Sequence, residues 1–253
     1  MQFIAVIPAR IASSRLPSKP LVDIVGKSLI QRVYEGIKDS KKISQIYIAT
    51  DSELISNHVQ SIGAKCIITP TELPSGTDRI WYALQKEKIY SDVVLNIQGD
   101  EPFISAGFID DFCNYLERNP EFQVGTVIKA ITSLEELKSP SVVKVVTNKR
   151  NIALYFSRNI VPFIRDYPEE KWLEIAKFYK HIGIYAYKYN VLQRFISLPQ
   201  SKTEKLEQLE QLRLLEDGIE YLCYETNLEM ISIDTPADLE KARMIFLQKE
   251  NFL

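Results

Sequence analysis

Apolar positions in the first hundred residues follow two alternating patterns. Residues 3–7, 46–49, 66–68 and 93–97 are runs in which almost every position is apolar. Such runs predict short strands buried on both faces. Between them, Leu29, Ile30, Val33 and Ile37 recur at helical spacing. So do Leu54, Ile55, Val59 and Ile62, with Gly63 placed to end that helix. A third helix is predicted from Thr77 to about Lys86, with Ile80 and Leu84 on its apolar side. Strands alternating with amphipathic helices predict an α/β fold with a mostly parallel sheet covered on both faces.

The second half is less regular. Strands are predicted at 124–131, 142–147, 153–156, 181–187, 221–224 and 231–233, and one helix at 203–216, closed by Gly218. The last helix has Thr235 as N-cap, Pro236 in its first position and Asp238 near its third. Residues 162–178 mix prolines, charges and aromatics, which predicts a mobile or lobe-forming connection. No linker or internal repeat divides the chain. A single domain over 1–253 is therefore expected, with about 142–180 forming a dimerisation or lid lobe within it.

Composition narrows the functional classes. A chain of 253 residues can bury a sizeable core without disulfides. Lys plus Arg number 31 and Asp plus Glu 33, a formal net charge of −2, which argues against a broad nucleic-acid-binding surface. Cys66, Cys113 and Cys223 are widely spaced, with no CxxC and no Cys/His cluster. That pattern supports neither a zinc site nor a disulfide framework and suits a reducing cytoplasm. No basic-then-apolar leader opens the sequence, and no run approaches the roughly 18 apolar residues that span a bilayer. A cytoplasmic protein without a membrane partner is expected.

In an open parallel sheet, ligands bind beyond the carboxyl ends of the strands. Three polar groups fall at predicted strand ends. After the first strand come Arg10, Ser13, Ser14, Arg15 and Lys19, interrupted by Pro17 and Pro20. Three cations and two hydroxyls in a tight loop suit a polyphosphate, although the Walker spacing is missing and a solvated basic loop is the alternative. After the fourth strand comes Gln98-Gly99-Asp100-Glu101-Pro102, where Asp100 either holds Mg²⁺ against a substrate phosphate or caps the next helix. The third group is Asp234, left over once Thr235 caps the last helix. Two such carboxylates on neighbouring strand ends could share one or two Mg²⁺ ions. Weaker candidates are 75–79, where Gly76 permits close approach of a base or ribose or simply opens a helix, and His181 beside a strand start. Tyr185 and Tyr187 share one strand face, and Glu207, Glu210 and Gln211 one helix side.

Eight motifs occur in order: IPARIASSRLPSKPL (7–21), IATD (48–51), SGTDR (75–79), NIQGDEP (96–102), YFSR (155–158), HIGIYAY (181–187), LEQLR (209–213) and DTPADLE (234–240). Over nearly its full length the chain resembles the 3-deoxy-D-manno-octulosonate (Kdo) cytidylyltransferases, or CMP-Kdo synthetases. The first motif is shared with other CMP-sugar synthetases, and NIQGDEP with YFSR, HIGIY and LEQLR narrows the match. The resemblance implies a Rossmann-like fold of the nucleotide-diphospho-sugar transferase type, with a smaller dimerisation lobe, in a homodimer. It implies Mg²⁺-dependent conversion of CTP and Kdo into CMP-Kdo and pyrophosphate, for lipopolysaccharide biosynthesis. By resemblance, Arg10, Ser13, Arg15 and Lys19 take the triphosphate, and Ser75, Gly76, Arg79 and Gln98 lie at the cytidine. Asp100 and Asp234 bind the metal, and Arg10 and Lys19 join them in the catalytic set. Arg158, Arg165, His181, Tyr185, Glu210 and Gln211 line the sugar pocket. The chain departs from the family's usual loop at Ile11, where an aromatic residue stands, and at Ser18, where a glycine stands. The 8-amino analogue of Kdo is the alternative substrate. A non-catalytic CTP- or sugar-binding module would not need both carboxylates and the cationic loop together, and a glycosyltransferase would carry an Asp-x-Asp motif where this chain has Gln98-Gly99-Asp100.

Overall fold

The apolar run near the start of the chain forms β1 (Phe3–Ala9), an inner strand of a parallel sheet. Residues 3–7 are at most 2% exposed, as a strand covered on both faces requires. The computed structural model describes residues 1–12 and 16–250. The chain divides into two units, Met1–Glu117 with Glu229–Leu253, and Arg118–Leu228. In the first unit β1 is followed by β2 (Asp23–Ile24), β3 (Lys27–Ser28), α1 (Leu29–Ile37), β4 (Ile43–Thr50), α2 (Glu53–Ser61), β5 (Lys65–Ile68), α3 (Gly76–Lys86), β6 (Val93–Asn96) and α4 (Ala106–Glu117). Its main strands run β6-β1-β4-β5, all parallel. The C-terminal helix, Pro236–Glu250, belongs to the same unit.

Periodicity located these elements well. α1 buries Leu29, Ile30, Val33 and Ile37, the four predicted positions. α2 buries Ile55 and Val59, but Leu54 is 67% exposed, and Ser56 takes a buried place instead. The cap of α3 is Ser75 rather than Thr77. The Ser75 hydroxyl donates to Asp78 Oδ2 at 2.6 Å and accepts from the Asp78 N–H at 3.1 Å, while Thr77 is buried in the first turn. The β2–β3 hairpin was not predicted. It turns through Val25 and Gly26, both at positive φ, and two-residue strands leave no apolar period to read.

The second unit holds β7 (Val124–Ala130), α5 (Leu134–Lys138), β8 (Lys144–Thr147), β9 (Ala153–Ser157), α6 (Trp172–Ile175), β10 (Tyr179–Lys188), α7 (Tyr189–Ser197), α8 (Lys202–Glu207), α9 (Gln211–Glu216) and β11 (Tyr221–Glu225). β7 pairs antiparallel with β10 and parallel with β11, and β8 pairs antiparallel with β10 and β9. The single helix expected at 203–216 is broken into α8 and α9 by Gln208, whose φ is +52°. Residues 162–178 are mostly exposed, with Trp172 and Phe178 as their buried anchors. Trp172 is 2% exposed, packs with Ile131, Leu137 and Phe178, and donates its indole N–H to the Tyr167 carbonyl at 2.9 Å. Cys113 and Cys223 are buried, and burial pushes both thiols up to about 12, as inert core cysteines require.

Candidate active site

Parallel pairing makes the loops after β1, β4, β5 and β6 leave from one edge of the first unit's sheet. Gly99 lets the turn after β6 rest on the end of β1: a Cβ there would lie 3.1 Å from the Pro8 carbonyl oxygen. Asp100 follows. Its carbonyl accepts the Ile233 N–H at 2.9 Å, and Glu101 Oε1 accepts a hydrogen bond from the Ser232 hydroxyl. These links dock 232–234 beside the turn, so 231–233 is held there without forming the predicted strand. The C-terminal helix is capped by Thr235 and Asp238: Asp238 N–H donates to Thr235 Oγ1 at 3.2 Å and Thr235 N–H to Asp238 Oδ2 at 2.8 Å. α4 is capped by Ser105, whose hydroxyl accepts the Phe108 N–H. Ser105 and the Thr235–Asp238 pair thus supply these two caps.

The carboxylates of Asp100 and Asp234 meet at one cation. Lys19 Nζ donates to Asp100 Oδ2 at 2.7 Å and to Asp234 Oδ1 at 2.8 Å. Burial opposes the charged ammonium, but the charge of Asp100 and the hydrogen bonds to both aspartates outweigh it, and the Lys19 pKa is raised. Glu101 is 5% exposed with Oε2 unpartnered, and burial, then the charge of Asp100, pushes its carboxyl up to about 7. Ser18, just before Lys19, lies at φ 51°, ψ 33°, the left-handed region that a glycine would occupy without strain. Ser18→Gly is therefore expected to stabilise the protein by about 1 kcal/mol, read from urea unfolding; a lower midpoint than wild type would contradict this.

The other nucleotide candidates divide. Arg10 is exposed immediately after β1. Ser13 and Arg15 lie outside the described residues. Gln98 is half-buried and donates to Asn96 Oδ1 at 3.3 Å. Ser75 is occupied as the α3 cap, and Gly76 sits against Pro8, whose Cγ would be 3.3 Å from an added Cβ. Gly76 thus serves close packing of helix on strand. Arg79 is buried and gives its guanidinium to Thr69 Oγ1, to the Pro70 carbonyl at 3.1 Å and to Asp51 Oδ2 at 3.2 Å. Asp51 in turn accepts the Ile11 N–H on Oδ1 at 3.2 Å. The pair ties the root of the cationic loop to the ends of β4 and β5, a structural use of Arg79 that its expected place at cytidine did not include.

In the second unit, His181, Tyr185 and Gln211 are joined. Tyr185 O–H donates to Gln211 Oε1 at 3.2 Å, and both residues are buried. His181 packs edge-on to Phe156, with ring centroids 5.0 Å apart, and lies 5.3 Å from the Tyr185 ring. Its Nε2 is 2.9 Å from Thr126 Oγ1, whose own O–H donates to the Ile184 carbonyl at 3.0 Å. Thr126 must therefore accept, so Nε2 carries the proton and Nδ1 is the acceptor. Burial pushes the imidazole down to about 3. The unfolded imidazole takes its proton near pH 6.5, whereas the folded one stays neutral, so stability falls as pH falls from about 6.5 toward 3. His181→Gln should flatten that slope in urea unfolding measured across this range; an unchanged slope would contradict the assignment.

Arg158 is fixed by three carbonyls, two of them at the break between α8 and α9. Nε donates to the Glu207 carbonyl at 2.7 Å, Nη2 to the Gln208 carbonyl at 3.3 Å and Nη1 to the Pro140 carbonyl at 3.1 Å. Glu207 Oε2 accepts the Arg158 N–H at 2.9 Å and Oε1 the Ser157 hydroxyl at 2.8 Å. Lys144, fully buried, donates to the Arg158 carbonyl at 2.6 Å. The expected shared helix side of Glu207, Glu210 and Gln211 is lost at Gln208, and Glu210 is exposed before α9 while Gln211 is buried. Arg165 does not join the group: its side chain is 88% exposed and pairs with Asp166 at 3.5 Å.

Comparison with known proteins decides the family. Residues 4–250 match the model of a family described as Cytidylyltransferase. The chain belongs to the cytidylyltransferase family. Among curated cytidylyltransferases, the 3-deoxy-manno-octulosonate cytidylyltransferase of Parabacteroides distasonis is 46% identical over 247 residues, covering 96% of this chain and 97% of the relative. That of Phocaeicola vulgatus is 45% identical over 256 residues, covering 99% of each chain. A solved structure of CMP:2-keto-3-deoxy-manno-octonic acid synthetase complexed with CTP superposes with a TM-score of 0.91 at 42% identity, covering 98% of this chain and all of the other.

The donor set of this cytidylyltransferase fits magnesium. Asp100 and Asp234 offer hard carboxylate oxygens that already converge on a cation position. Among the described residues no three His, Cys, Asp or Glu side chains gather as a metal site. Mg²⁺ suits a two-carboxylate site, because it keeps substrate phosphates and waters as its remaining ligands. The residues missed from sequence are Asp51, Glu101, Thr126, Lys144 and Ser232. IATD and GDEP marked the first two, but only folding shows what their carboxylates hold.

Proposed function

We propose that this cytidylyltransferase uses Mg²⁺, CTP and 3-deoxy-manno-octulosonate to make the CMP-sugar and pyrophosphate. The convergence of Asp100 and Asp234 on one cation position, filled by the Lys19 ammonium at the carboxyl edge of the sheet, carries this reading. The names of the similar curated proteins support the sugar acid over its 8-amino analogue. Arg10 and Lys19 neutralise and orient the triphosphate. When bound at Asp100 and Asp234, magnesium supplies charge stabilisation to the phosphates and acidifies a hydroxyl. The anomeric hydroxyl attacks the α-phosphorus in line and pyrophosphate leaves, so positioning and charge are the protein's main work.

Three backbone carbonyls set the plane of the Arg158 guanidinium, leaving its remaining donors for the sugar's carboxylate. Neutral His181 presents Nδ1 to a sugar hydroxyl as an acceptor and holds the substrate rather than taking its proton. The same reading makes the enzyme a cytoplasmic homodimer serving lipopolysaccharide biosynthesis. Among the described residues no helix is long and apolar enough to cross a membrane.

Pyrophosphate release tests the substrate assignment, with CTP, Mg²⁺ and, separately, the proposed sugar acid, its 8-amino analogue and a sialic acid. Release is expected with the first; release only with another sugar, or with none, overturns the reading. Asp51 acts at one remove, through the loop. Asp51→Ala is expected to raise KM for CTP about tenfold, the worth of a charged hydrogen bond, with KM for the sugar acid little changed. An equal rise in both would place Asp51 outside the nucleotide machinery.

A further inference from the structure

Lys19 stands where the divalent cation has to be. Its ammonium lies 2.7 Å from Asp100 and 2.8 Å from Asp234, on a side chain only 15% exposed. A Mg²⁺ taking one oxygen from each carboxylate at about 2.0–2.1 Å cannot share that point with an ammonium, because both need the same lone pairs and like charges at contact repel. We propose that Lys19 is a resident counter-ion, which holds Asp100 and Asp234 together before substrates arrive and gives way to the metal as its ammonium moves to the triphosphate. This rests on the metal reading above.

Two features suit Lys19 to the exchange. Its flexible four-carbon stem can swing the ammonium without backbone movement. The backbone around it is fixed: Leu21 N–H donates to the Ser18 carbonyl at 2.8 Å, and Val22 N–H to the Lys19 carbonyl at 3.3 Å. The aspartates keep their own tether, the Ile233–Asp100 backbone bond and the Ser232–Glu101 side-chain bond, when the ammonium leaves. Lys19 therefore weakens metal binding in the nucleotide-free enzyme. A triphosphate that draws the ammonium away strengthens it, and by linkage the metal strengthens triphosphate binding by the same factor.

The test is Mn²⁺ binding to nucleotide-free protein, read from the paramagnetic resonance signal of free Mn²⁺, with folding checked by circular dichroism. Lys19→Met is expected to bind Mn²⁺ about tenfold more tightly than wild type, the scale of one partly screened charge at contact. Lys19→Gln, a polar variant less prone to misfold, should do the same, and Lys19→Arg should bind as weakly as wild type. Loss of wild-type Mn²⁺ binding in Asp100→Asn, combined with unchanged or weaker binding in Lys19→Met and Lys19→Gln, overturns the counter-ion role while leaving the metal site standing. Mn²⁺ binding that ignores Asp100 in both the wild-type and the Lys19→Met background removes the metal site and the proposal together.

Discussion

Asp100→Asn and Asp234→Asn are each expected to lower turnover about 10²–10³-fold, the usual cost of losing one electrostatic stabiliser of the transition state. Asparagine keeps the size of the side chain and one acceptor oxygen, so the fold should persist. The docking of 232–234 on the turn after β6 runs through the Asp100 carbonyl and through Glu101 with Ser232, neither of which involves the replaced carboxylates. The C-terminal helix likewise keeps its cap, because Thr235 and Asp238 make it. The check is initial-rate pyrophosphate release over a Mg²⁺ titration, alongside circular dichroism. A folded Asp100→Asn protein with near-normal turnover at limiting Mg²⁺ would contradict the assignment.

Arg213→Met is expected to destabilise the protein by about 3–5 kcal/mol, the cost of stranding a buried charge. Arg213 grips Glu204 with Nε at 2.9 Å and Nη2 at 2.6 Å, and the two side chains are 7% and 3% exposed. Its guanidinium also lies 4.1 Å from the centre of the Phe195 ring. Glu204 meanwhile closes a capping box on Ser201 at the start of α8. Losing the arginine therefore loosens both α8 and α9, the segment whose Glu207 and Gln208 carbonyls orient Arg158. Below its melting temperature the variant should show a larger rise in KM for the sugar acid than for CTP. Urea unfolding and the two KM values check this; Glu204→Leu added to Arg213→Met should recover part of the stability, since an apolar pair removes the stranded charge.

The parallel half of the fold was legible because its strands are buried on both faces and its helices on one, so β1, α1 and β6 announce themselves by period. Where tertiary contacts rather than period set the backbone, the reading failed. Gln208 breaks an apparently continuous helix, and 231–233 is held by Asp100 instead of by a ladder. Asp234 could be picked out because Thr235 accounts for the cap beside it, and Asp100 because it follows the Gly99 turn at a strand end. Their meeting point at Lys19 could not, since it depends on two docking bonds far apart in sequence. The roles of Asp51 and Arg79 were hidden for a related reason: a buried ion pair looks in sequence like two surface charges. The opposite case is Arg165, a charged residue expected in the sugar pocket whose side chain the fold leaves in solvent.

The most direct measurement is a crystal structure with CTP and Mn²⁺, using the anomalous signal of manganese. An anomalous peak about 2.1 Å from both an Asp100 and an Asp234 carboxylate oxygen, with Lys19 turned onto the triphosphate, is the expected result. A peak away from both aspartates, with Lys19 still bridging them, would contradict the central claim.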